Sequence, residues 1–191
     1  MRRQYFVLLG LSAALLLGVT SRAALAEDVT AECTKCHGAD GISKKPESPT
    51  IAGMPAELQQ AALEAFRDGS RKCAKVPQMC KTASKLTDEQ IKALAEKYSA
   101  MPYKAVVQPS DAALAATGKA LHTKLCKNCH GATPGDGDSG NLHGQPSEYL
   151  RTALAELLSG AREQDKNMKA KTAKLTPADI DALINYYASY K

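Results

Sequence analysis

Cys33-Thr34-Lys35-Cys36-His37 and Cys126-Lys127-Asn128-Cys129-His130 are the two stretches that decide how this 191-residue chain folds. In Cys-x-x-Cys-His the two thiols add to the vinyl groups of one haem, and the adjacent histidine is carried beneath the iron as its proximal ligand. A Cys-x-x-Cys pair alone also serves as a redox couple or as half of a zinc site. Zinc needs two further ligands per site in a tight cluster, and none accompanies either stretch. Two copies in register therefore predict two covalently bound haem c groups, one through Cys33 and Cys36 with His37, the other through Cys126 and Cys129 with His130.

The two stretches belong to a longer repeat. Cys33 recurs as Cys126 at an offset of 93, Gly53-Met54-Pro55 as Gly144-Gln145-Pro146 at 91, Gly69 as Gly160 at 91 and Tyr98 as Tyr187 at 89. A period near 90 marks duplicated domains, since solenoid repeats are shorter. Within each half the apolar spacing is helical. Leu58, Ala61, Ala62, Ala65 and Phe66 form a stripe that stops at Gly69. Thr87-Asp88-Glu89-Gln90 is a capping box that opens a helix through Ile91, Leu94 and Tyr98. Thr176 and Pro177 open the matching helix through Ile180, Leu183 and Tyr187, and 111–125 leads into the second haem stretch. No period-two segment is long enough for a strand, so the expected fold is all-α. The expected boundaries are 27–100 for the first domain, 101–110 for a proline-bracketed linker and 111–191 for the second domain.

Residues 1–26 read as a cleavable secretory leader. Arg2 and Arg3 precede an apolar run from Tyr5 to Val19, and Ala24-Leu25-Ala26 supplies the small-residue cleavage site. The run falls short of the roughly 20 residues that a bilayer requires, so no membrane span is expected after cleavage. Removing Arg2, Arg3 and Arg22 lowers the formal charge from +5 to +2. That balance gives no case for nucleic-acid binding. The sequence has two Phe and no Trp, so two domains of this size need a staple or a filler, and a covalent haem is both.

Each half also offers one methionine at a matching place, Met79 and Met168, both followed by Lys-Leu-Thr. As sixth ligands they close both irons, which suits electron carriage and leaves no position for a substrate. His143 is an alternative ligand for the second iron, and His122 is expected at the surface or packed on haem. Cys73 and Cys80 flank the Met79 segment and lack counterparts in the second half. In an oxidising compartment a disulfide closing this loop is the default; with a nearby Met the pair also makes a soft-metal site such as copper. Arg71, Lys72, Lys75, Lys81 and Lys85 around it read as a solvated face.

These residues resemble a known group. Cys33-x-x-Cys36-His37-Gly38, Ser48-Pro49-Thr50-Ile51-Ala52, Phe66-Arg67-Asp68-Gly69, Asp111 to Gly118, and Leu121-His122 running into Cys126-x-x-Cys129-His130 are similar to the cytochrome c4-like diheme proteins, and in particular to the cytochrome subunit of flavocytochrome c sulfide dehydrogenase. The resemblance implies two tandem class I cytochrome c domains related by a pseudo-twofold axis, each wrapped around one haem. It implies axial pairs His37 with Met79 and His130 with Met168. It also implies an electron-transfer subunit in the periplasm, not an enzyme on its own. Its expected donor is an FAD-containing sulfide dehydrogenase subunit and its acceptor a soluble cytochrome; the alternative is a free diheme carrier serving a terminal oxidase. The Cys73/Cys80 pair departs from the pattern.

Overall fold

The structure, a computed structural model, describes residues 29–135 and 139–191, and the leader expected over 1–26 lies outside the described residues. All regular structure among the described residues is helical. The first half contains a helix over 29–37 (α1), Ala56–Asp68 (α2), Pro77–Ala83 (α3) and Asp88–Ser99 (α4). The second half repeats the order with Ala112–Leu125 (α5), Lys127–His130 (α6), Ser147–Ser159 (α7), Lys166–Thr172 (α8) and Pro177–Ala188 (α9).

The helix ends follow from local chemistry. Thr87 and Gln90 form a reciprocal capping box at the start of α4, and Thr176 and Asp179 form another at α9. Asp111 caps α5 by accepting from the amides of Ala113 and Leu114. Gly69 and Gly160 end α2 and α7 in the left-handed region at φ 79° and 74°, where a side chain is strained.

In each half the last helix forms the floor of the core. Ile91, Leu94 and Tyr98 of α4 bury against Leu86, with Val29 and Cys33 of α1 packed on them. Leu183, Ile184, Tyr186 and Tyr187 of α9 bury against Leu150, with Leu121 and Cys126 packed on them. The first cysteine of each haem stretch is thus pressed onto its domain's core. In the second half α5 crosses α9 at Gly118, where an added Cβ lies 2.0 Å from the Ala182 carbonyl oxygen. That approach fixes where α5 delivers Cys126.

The two domains meet through matching segments. Gln145 accepts from the Thr50 amide at 2.9 Å and donates to the Thr50 carbonyl at 2.8 Å. Across the pseudo-twofold, Met54 Sδ accepts from the Asn141 amide at 3.3 Å. Thr50 pairs with Asn141 and Met54 with Gln145 at the same offset of 91, so one contact is the other's image. Residues 102–111 run without helix between the domains, and Val106 donates to the Gly144 carbonyl at 2.8 Å.

Candidate haem sites

The cysteines sort themselves. Cys33, Cys36, Cys126 and Cys129 are free, while Cys73 and Cys80 are joined by a disulfide. Burial pushes the thiols of Cys33 and Cys126 above their ordinary value. Such thiols are poor thiolate donors for zinc or for a redox pair. Among the described residues no group of three or more His, Cys, Asp or Glu is placed to hold a metal ion. A copper site at Cys73 and Cys80 is thereby unsupported, because sulfurs bonded to one another are not thiolates.

The histidines sit ready for a ligand. His37 is buried, and its Nδ1–H donates to the Pro49 carbonyl at 2.8 Å, which leaves the Nε2 lone pair free for an iron. Burial lowers its pKa below the ordinary value, so the ring stays neutral. His130 is lowered by burial too, with His122 nearby adding to the effect. Its Nδ1 is buried and has no hydrogen-bond partner among the described residues; Gly140, at the place matching Pro49, follows the undescribed residues 136–138. Four unpaired thiols at two Cys-x-x-Cys-His stretches, each with a neutral, half- to fully buried imidazole, fit two covalent haems.

Met79 and Met168 occupy equivalent places, each the third residue of a seven-residue helix, α3 and α8. The sequence suggested a loop here, because two turns are too short to show helical periodicity. The two helices are started differently. Asp165 caps α8 and accepts from the amides of Asn167 and Met168. Val76, at the head of α3, provides no side-chain cap. There the Cys73–Cys80 disulfide closes the segment instead, with the Val76 amide bonded to the Cys73 carbonyl.

Three further residues named in the sequence take the following places. His122 is fully buried, away from any surface. Its Nε2–H donates to the Gly131 carbonyl at 2.8 Å, and its Nδ1 accepts from the Tyr187 hydroxyl at 3.1 Å. In the first half the matching residue is Val29, and the Tyr98 hydroxyl, buried beside Cys33, has no hydrogen-bond partner of normal geometry among the described residues. His143 is engaged by the Pro134 carbonyl and by the rings of Tyr103 and Tyr190. Arg71 is not part of the solvated face. Its guanidinium is buried in an ion pair with Glu156 of the second domain at 2.7 Å, while Lys72, Lys75, Lys81 and Lys85 are exposed.

Comparison with known proteins gives the arrangement its place. Residues 23–96 match the family model Cytochrome c, and residues 113–186 match Cytochrome C oxidase, cbb3-type, subunit III. The chain is similar to cytochrome c4 of Pseudomonas aeruginosa, 30% identical over 90% of this chain and 93% of that protein. The Acidithiobacillus ferrooxidans cytochrome c4 structure superposes with a TM-score of 0.75 at 25% identity, covering 83% of this chain and 99% of that one. A thiosulfate dehydrogenase structure from Marichromatium purpuratum superposes with a TM-score of 0.73 at 29% identity, covering 89% of this chain but 40% of that one. No described helix is long and apolar enough to cross a membrane. Two tandem all-helical cytochrome c domains, two haem-attachment sites and a match over most of the chain place it in the cytochrome c4 family of diheme c-type electron carriers.

Proposed function

We propose that this chain is a periplasmic two-haem relay. It accepts electrons from the FAD of a sulfide-oxidising flavoprotein subunit and delivers them to a soluble cytochrome. Each haem, when bound, supplies a one-electron Fe(III)/Fe(II) couple. The chain's own residues do the rest. Cys33, Cys36, Cys126 and Cys129 would anchor the groups, His37 and His130 would present neutral imidazoles to the irons, and Met79 and Met168 would supply the thioethers. The observation that carries the carrier reading is the equivalence of Met79 and Met168, at the same position of α3 and α8. So held, the two groups would exchange electrons and leave no position for a substrate.

The donor rests on the run from Asp111 to His130, which resembles the sulfide dehydrogenase subunit. Similarity over most of the chain to cytochrome c4 favours a second reading, a free carrier that serves a terminal oxidase. Purification from native cells separates the two. A flavin-bearing polypeptide that co-elutes and reduces both haems on addition of sulfide supports the first reading. A monomer without a flavin partner, reduced no faster when the flavoprotein is added, leaves the free carrier.

A further inference from the structure

We propose that Glu156, acting through Arg71, is a positioning residue for Met79, so that the second domain holds the iron-ligand segment of the first. The inference rests on Met79 being the first domain's thioether ligand. Glu156 lies on α7, and 85 residues separate it from Arg71, which follows α2. Its Oε2 accepts from Arg71 Nε at 3.2 Å and from the terminal nitrogen at 2.7 Å, a two-pronged contact with both side chains under a tenth exposed. The guanidinium carbon also stands 4.2 Å over the Phe66 ring. The Lys72 amide next to it donates to Ala161 of the second domain at 2.7 Å. The Arg71 carbonyl oxygen lies 4.0 and 3.9 Å from the sulfurs of Cys73 and Cys80. Cys80 is covalently next to Met79. A short chain of contacts thus runs from Glu156 through Arg71 and the disulfide to the ligand.

The asymmetry of the repeat shows why the first domain needs this. α8 carries its own cap, Asp165, which bonds the Met168 amide directly. α3 has none. Glu156 has Ala65 as its counterpart at an offset of 91, and Arg162, the counterpart of Arg71, makes no ion pair among the described residues. The latch therefore runs one way, from the second domain onto the first. A buried charge pair broken on one side leaves an uncompensated charge, so the retained partner must move toward water. The Arg71 main chain lies against the disulfide, so displacing Arg71 is expected to disturb the disulfide-closed segment.

The test uses the holoprotein and the weak far-red band that marks a thioether bound to Fe(III). Met168→Ala leaves only the first domain's band, and Met79→Ala only the second's. In the Met168→Ala chain, Glu156→Ala is expected to lower the remaining band by at least about twofold, since the stranded Arg71 is driven out of its buried site. Glu156→Gln and Arg71→Lys are expected to retain an intermediate amplitude, and they carry the test if Glu156→Ala does not mature. In the Met79→Ala chain none of these changes should alter the band. An unchanged band in the Met168→Ala chain overturns the proposal, as does an equal loss in both domains. If Met79→Ala removes no part of the wild-type band, the ligand assignment itself is wrong, an outcome distinct from failure of the latch.

Discussion

Gln145 holds both main-chain groups of Thr50 across the domain boundary, accepting from its amide and donating to its carbonyl, with Gln145 1% and Thr50 0% exposed. Neither group has water to fall back on. Gln145→Ala should therefore cost about 2–4 kcal/mol, the range for stranding two buried polar groups. The Thr50 amide should become the first interface amide to exchange with deuterium. Thermal unfolding together with residue-resolved exchange checks both effects.

Met54, the image of Gln145, holds only the Asn141 amide, through sulfur. Met54→Gln makes the two contacts alike and offers a second bond to Asn141. It is expected to leave stability unchanged or raise it by about 1 kcal/mol, the net worth of one added hydrogen bond. Paired melts of the wild type and the variant read this directly.

Replacing His122 with its counterpart, valine, removes the acceptor of the Tyr187 hydroxyl and the donor to the Gly131 carbonyl. The expected cost is about 2–4 kcal/mol. The second domain should lose it and the first should not, so exchange protection should fall around 118–131 while remaining unchanged around 88–99.

The Thr87–Gln90 capping box, the Thr176 cap, the Gly69 stop and both haem stretches were legible in the sequence because each is a local device written within five residues. The short helices α3 and α8 were not, since seven residues do not display a period. Arg71 read as one more solvated cation among lysines. Its partner lies 85 residues away, and nothing local distinguishes a buried guanidinium from an exposed one. His122 was singled out by its place before Cys126, yet its burial depends on α9 and Tyr187, a contact 65 residues distant.

Removing the Cys73–Cys80 cross-link by Cys73→Ser with Cys80→Ser opens a loop with a sequence separation of 7. Chain entropy puts the loss at about 2.5 kcal/mol for a loop this short. The Met79 thioether should then be displaced by imidazole at lower concentration than Met168. Imidazole titration of the far-red band in the single-methionine chains measures the difference.

Buried Tyr98 and Tyr187 are raised above their ordinary value of 10. The unfolded chain therefore releases protons that the folded chain keeps, and stability is lost as the pH rises above about 10. Denaturant melts across the pH range should show stability falling beyond this limit.

A reductive titration of the native protein, followed at the far-red band in the presence of CO, tests most directly whether both halves hold closed haems. Two electron equivalents per chain, with the band abolished at the second and no CO adduct formed, is the expected result. A single equivalent, or a CO adduct on the native reduced protein, contradicts it.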